Sequence, residues 1–291
     1  MKIAVSSYSF QPLITDGTMT QLDCIRAAKR LGFDAVEFID LQPHDGSTIE
    51  EYADAIREES ERYSLPVSNY TVFADFLTGS DGDFQREIDR VRCMADIAAR
   101  LGSRSMRHDA TRGYAAGERG WRGFDEALPR LAEGCRRVTE YAAGLGVRTM
   151  VENHGLFCQD SRRVEKLVNA VAHDNFGWLV DMGNFLCADE NPAQAVSRAA
   201  PYAFYVHGKD FLVKSGMAPN PGNGFFRSRG GSYLRGTVIG HGDVPVLQCL
   251  AILKQAGYDG YIGVEFEGVE PVEWALQTAL ENLRRYIDMV E

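Results

Sequence analysis

Short apolar runs and amphipathic helical segments alternate eight times along this chain, and that rhythm leaves few folds open. The apolar runs are Ile3–Tyr8, Ala35–Ile39, Pro66–Phe73, Arg104–His108, the stretch after Gly146 ending at Glu152, the stretch from Phe176 ending at Asp181, the stretch from Tyr202 ending at His207, and Gly260–Phe266. Between them the spacing predicts helices over Thr18–Leu31, Ser47–Tyr63, Asp83–Leu101, Gly123–Leu145, Ser161–His173 and Asn191–Ala200, one that opens at Asp243 and runs to Gln255, and a last one over Pro271–Met289. In the first of these, Leu22, Ile25, Ala28 and Leu31 recur near a helical period. Gly32, Gly102 and Gly146 follow helices where a left-handed residue closes the last turn. Ser47-Thr-Ile-Glu50 has the form of a capping box. Alternating β and α predicts a parallel sheet. Eight such units without a break in composition predict a single (β/α)8 TIM barrel domain over residues 1–291. Val213–Gly242 interrupts the rhythm; rich in Gly, Pro, Ser and Asn, with Phe225, Phe226 and Tyr233 inside, it reads as a long loop after strand seven.

Functional side chains of such barrels gather at the C-terminal ends of the strands. Residues two apart on a strand face the same way. Glu152 and His154 therefore share one side at the end of strand five, His207 and Lys209 at the end of strand seven, and Glu265 and Glu267 at the end of strand eight; Asp181 ends strand six. Groups of this kind are costly to bury without a partner. Glu152, Asp181, His207 and Glu265 are the candidate metal ligands. Three carboxylates and one imidazole suit one divalent ion, Mn²⁺ first, with Mg²⁺, Co²⁺, Fe²⁺ or Zn²⁺ also accommodated. Glu265 is preferred to Glu267 because it directly follows the apolar run. Candidate substrate contacts are Arg107 and His108 at the end of strand four, His154, Lys209, and Glu37 on strand two. His154 has the alternative role of orienting another group, and Lys209 that of pairing with Asp210. Tyr8, Phe10, Phe73 and Phe76 are candidate pocket walls.

Composition excludes several functions. The net charge of −10 argues against a phosphate-backbone partner, so no nucleic acid is expected. The six cysteines are scattered, with no C-x-x-C pair, and the N-terminus enters a strand directly; a reduced, cytoplasmic setting is expected. No apolar run approaches the roughly 18 residues of a membrane span. Neither a G-x-G-x-x-G turn after strand one nor a P-loop lysine motif is present.

Five strings, Met150-Val-Glu-Asn-His-Gly155, Leu179-Val-Asp-Met-Gly-Asn184, Val206-His-Gly-Lys-Asp210, Gly240-His-Gly-Asp-Val244 and Gly257–Gly268, carry a resemblance. The chain resembles the xylose-isomerase-like barrel superfamily of sugar isomerases, epimerases and their relatives. The resemblance implies that Glu152, Asp181, His207 and Glu265 hold one divalent metal and that Glu152 and Glu265 form an acid/base pair. The implied chemistry is proton abstraction next to a carbonyl through a metal-stabilised enediolate, giving a metal-dependent isomerase or epimerase of a small sugar or cyclitol. It also implies a homo-dimer or homo-tetramer. Two departures support a runner-up. Simple ketose epimerases of the superfamily carry a further histidine after the strand-six aspartate and an arginine after the strand-seven histidine; here those neighbourhoods hold Asn184-Phe185 and Lys209. With the long loop, this favours a lyase or dehydratase acting on a 3-keto sugar, an oxidised glycoside or an inosose as the alternative. A sugar-binding barrel without catalysis is the minor alternative. The DNA-repair endonuclease of the same barrel type needs more histidines and a basic face than this chain has.

Overall fold

The computed structural model describes every residue except Asp45, Ala116 and Glu118. Its strands are β1 (Lys2–Ser6), β2 (Ala35–Ile39), β3 (Val67–Val72), β4 (Ser105–His108), β5 (Arg148–Glu152), β6 (Phe176–Asp181), β7 (Ala203–Gly208), β8 (Asp210–Lys214), β9 (Phe226–Arg227), β10 (Tyr233–Thr237) and β11 (Tyr261–Val264). Eight of them close a barrel in the order β1-β11-β7-β6-β5-β4-β3-β2, and every barrel pairing is parallel. The expected (β/α)8 barrel is thus the observed fold. Helix starts fall up to three residues later than expected, as at Gln21 rather than Thr18 and Val246 rather than Asp243. Thr20 caps the first long helix with Asp23, and Thr48, rather than Ser47, forms the capping box with Glu51. No helix among the described residues is long and apolar enough to cross a membrane.

Strand parity builds the core and the site together. On one side of each strand, Val36, Met106, Val151, Val180, Val206 and Ile262 pack outward against the helices. On the other, Ala4, Ala35, Met150, Leu179 and Tyr205 fill the barrel interior as a separate apolar plug. Two residues beyond four of the plug residues, on the same face, stand Glu37, Glu152, Asp181 and His207. The polar layer therefore rests on an apolar floor that keeps water from below. Gly263 is part of this arrangement: a Cβ there would lie 2.9 Å from Tyr205 and 3.2 Å from Glu37 Oε2.

The segment after β7 is not the unstructured loop its composition suggests. β8, β10 and β9 form a three-stranded antiparallel sheet, with Asp210 paired to Thr237 and Tyr233 to both Lys214 and Arg227. Phe211, Leu234 and Cys187 form its small apolar core. Asp210 anchors its base by accepting hydrogen bonds from the backbone N–H groups of Phe211, Gly240, Gly242 and Val244. The carboxylate of Asp210 is committed to those four groups, not to Lys209.

Candidate metal and substrate site

Glu152, Asp181, His207 and Glu265 converge at the C-terminal mouth of the barrel. Among the described residues, one ligand atom from each lies within 4.8 Å of the other three; Glu152, Asp181 and His207 are buried, and the Glu265 side chain is 11% exposed. Ligands at about 2.0–2.2 Å from one ion would lie within roughly 4.4 Å of each other, so this is close to the spread one ion demands. His207 Nδ1 lies 3.7 Å from Glu152, 3.7 Å from Asp181 and 3.6 Å from Glu265. His207 Nδ1 and Asp181 Oδ2 are both buried without a hydrogen bond. Buried polar atoms are ordinarily satisfied. Two orphans of complementary ligand type, facing one point, fit a divalent cation.

The remaining contacts orient these four. His207 Nε2 lies 2.7 Å from Glu37 Oε2, which turns Nδ1 toward the carboxylates. Glu37 Oε1 in turn accepts from Asn69 and from the Thr71 hydroxyl. Asp181 Oδ1 accepts from the backbone N–H groups of Gly183 and Asn184, leaving Oδ2 inward. Glu152 receives Arg107 Nη2 at 2.6 Å on one oxygen and the Asn184 amide at 3.0 Å on the other. Lys209 Nζ stands 2.5 Å from Glu265, 3.4 Å from Asp181 and 3.4 Å from Glu267.

Electrostatics follow from burial opposed by these pairs. Burial alone would raise the Glu152 carboxyl, but Arg107 and His207 outweigh it and hold the group well below its ordinary range. At Glu265 burial is likewise outweighed, here by Lys209 and His207, so it too is lowered. Glu267 goes the other way: burial dominates Lys209 and raises it. Burial would lower Lys209, but Glu265, Glu267 and Asp181 hold it well above its ordinary value. The His154 ring meets Asp109 through Nδ1 at 2.9 Å, and that carboxylate outweighs burial to raise its pKa.

The candidate substrate contacts divide. Arg107, His154 and Lys209 line a cavity of about 280 Å³ over the cluster, with Tyr8, Phe73, Arg112, Glu152, Glu265 and Glu267. Glu37 and His108 do not. Glu37 is fully buried beneath His207 and acts on that ring. His108 points outward. In the β4–β5 register it pairs with Val151, whose side chain packs on the helices, while Arg107 pairs with the plug residue Met150. The His108 ring lies between Phe76 and Phe176, and Nδ1 meets the Asp109 carbonyl at 2.8 Å. Of the four candidate aromatic walls, Tyr8 and Phe73 line the cavity, while Phe10 and Phe76 are in the core. Asp109 and Asn184 were not among the sequence candidates. Asp109 bridges Arg107 and His154, and Asn184 bridges Glu152 and Lys209. Cys187 packs in the small apolar core with Phe211 and Leu234, and burial pushes its thiol up to about 12.

His108 gives a stability prediction. Burial pushes its imidazole down to about 4, from an ordinary value near 6.5. Between those values the unfolded chain binds a proton there and the folded chain does not. Stability therefore falls as pH drops through this window, by on the order of 3 kcal/mol once below pH 4. Denaturant melts at pH 4 and pH 7 should show a smaller pH difference for His108→Leu than for the unaltered protein. Equal differences would mean that His108 takes up its proton in the fold.

Known proteins share this architecture. An inosose dehydratase from Lacticaseibacillus casei is 25% identical over 171 residues, which are 56% of this chain and 55% of that protein. The chain thus spans about half the length of the curated relatives of this kind. The structure of a zinc-bound protein named IOLI superposes with a TM-score of 0.75 at 17% identity, covering 100% of this chain and 99% of the other. That of an L-ribulose 3-epimerase gives 0.73 at 14% identity, covering 99% and 95%. These two likenesses carry the fold. The sequence model for the xylose isomerase-like TIM barrel matches residues 25–286, nearly the whole chain, and the chain belongs to that family.

Proposed function

We propose that this protein is a divalent-metal-dependent enzyme that removes a proton next to the carbonyl of a sugar or cyclitol ketone and returns it as an isomerase or epimerase. The observation that carries the reading is the buried cluster of Glu152, Asp181, His207 and Glu265, with its two unsatisfied inward atoms. These residues would hold the ion, Mn²⁺ by first preference for the donor set. When bound, the ion supplies Lewis-acid stabilisation for charge that builds on the carbonyl oxygen.

The protein's own groups do the proton work. Glu152, held ionised and clamped on both oxygens by Arg107 and Asn184, is the base that takes the proton from carbon. Glu265 faces the same cavity from the far strand and returns a proton to the opposite face, which inverts the carbon. That proton reaches Glu265 from solvent, and Lys209, 2.5 Å away, stabilises the carboxylate left once it has been given up. Return of the proton at the neighbouring carbon gives aldose–ketose isomerisation instead.

One observation favours a second reading, β-elimination. Lys209 and Glu267 lie 3.4 Å apart on the cavity wall, and Lys209, held protonated by its carboxylate neighbours, is placed to donate a proton to a departing hydroxyl. The C–H electrons would then form the new double bond as water leaves. The sequence likeness to inosose dehydratases supports the same alternative.

Proton exchange in D₂O separates the readings. Protein loaded with Mn²⁺ is incubated with free ketoses, inososes and 3-keto-glycosides, the metal is removed by chelation, and NMR spectra are taken. Deuterium next to the carbonyl with an epimer or isomer is the expected result. An enone with loss of water or an aglycone would move the assignment to the lyase. Absence of exchange from every ketone, in protein holding one ion per chain, would sink the proton-abstraction reading for these substrates.

A further inference from the structure

The cavity over the cluster does not end at Lys209. His154, Lys209 and Glu267 also line a second recess of about 250 Å³, which runs toward the inserted sheet between Leu156 and Phe226. Each recess alone falls below the roughly 300–1,000 Å³ of ordinary small-molecule sites, and the two together fall within it. The floor of the second recess is polar, with Asn184 and Gln159, and its lip carries two apolar side chains, Leu156 and Phe226, beside Arg227.

Both lip residues are held in place. Leu156 is 48% exposed and has a backbone φ of 65°, a left-handed conformation costly for a residue with a bulky side chain. Its N–H donates to Gln159 Oε1 at 2.6 Å, and its carbonyl accepts from Arg229 Nη2 at 2.6 Å. Phe226 is 40% exposed and rests edge-on against the buried ring of Phe211, with centroids 5.7 Å apart. Arg229 also pairs with Asp160, and its N–H donates to the Cys187 carbonyl, so the inserted sheet is tied to the loops after β5 and β6. Strain and anchoring thus hold two apolar side chains at the rim of a polar recess. A recess on the opposite side, beside Pro12 and Phe266, shares Tyr8 and Glu267 with the first but reaches neither Lys209 nor His154.

We propose that the substrate has two parts: a reacting keto ring over the cluster, and an O-linked ring substituent, a second sugar or an aryl group, seated between Leu156 and Phe226. The apolar face of the substituent packs on these two side chains. This deepens the proposed function and rests on it for the identity of the first ring.

The test compares a ketone with its ring-substituted derivative, 3-ketoglucose against phenyl 3-keto-β-glucoside. Two assays are run: deuterium exchange by the unaltered enzyme, and calorimetric binding to the Glu152→Gln variant, which needs no turnover. We expect the phenyl derivative to be preferred by roughly tenfold or more in both. Phe226→Ala should remove most of that preference through KM, with exchange into 3-ketoglucose little changed, and Phe226→Tyr should restore it. Equal treatment of the two ketones by the unaltered enzyme, or an equal loss toward both in Phe226→Ala, overturns the two-part substrate. If neither ketone exchanges deuterium while binding still favours the phenyl derivative, the second recess stands and the proton-abstraction reading fails.

Discussion

Glu152→Gln should lower turnover by roughly 10²–10⁴-fold, the range a positioned general base supplies, while the protein stays folded. The substitution is isosteric. The amide oxygen can still accept from Asn184 Nδ2, and Arg107 keeps Asp109 at 2.9 Å. What it loses is the carboxylate proposed as the base and one negative charge of the cluster. Circular dichroism should therefore change little, Tm should fall because the new amide turns a donor toward Arg107 Nη2, and deuterium exchange should fall with turnover. Metal content separates the two losses: protein that still holds an ion but does not exchange points to the base, and protein without metal points to the ligand role. Turnover at the unaltered rate would falsify the assignment of Glu152 as base.

Glu37→Leu should weaken binding of Mn²⁺ or Zn²⁺ by about 10–100-fold, although Glu37 is not itself in the ligand set. Its carboxylate meets His207 Nε2 at 2.7 Å and is the contact that turns Nδ1 toward Glu152, Asp181 and Glu265. Leucine removes that acceptor and leaves the Asn69 amide and Thr71 hydroxyl short of a partner, at a cost of about 1–3 kcal/mol for each such buried group. Some loss of Tm is expected, so the affinity is read by chelator competition at a temperature where circular dichroism shows the variant folded. Glu37→Gln, which keeps an acceptor oxygen and the shape, should fall between the two. A metal affinity within twofold of the unaltered protein in Glu37→Leu would show that the imidazole is positioned by its strand alone.

The four cluster residues were legible because each follows an apolar run on a buried strand, and strand parity carries it to the same face as the plug below. The same rule could have settled Arg107 against His108. They are neighbours in β4, so only one can face the barrel interior, and the register with β5 selects Arg107. Glu37 was legible as a buried carboxylate but not as the partner of His207, because the contact joins positions 170 residues apart across the barrel. No local pattern encodes such a pairing. Asp109 and Asn184 left faint signals, an acid just past β4 and an amide in the turn after Asp181, but their bridging roles depend on side-chain directions in three dimensions. The inserted sheet is not legible in the sequence because β8 follows β7 with only Lys209 between them, and β9, two residues long, is flanked by glycine-rich turns.

β8 begins at Asp210, three residues after the end of the interior face at His207, with Gly208 and Lys209 between. A cluster residue, the cationic Lys209 and the base of the recess wall thus lie on one uninterrupted piece of backbone. Drift at the base of the insertion displaces the chemistry, whereas drift at its tip, around residues 215–232, reshapes the recess and leaves the chemistry in place.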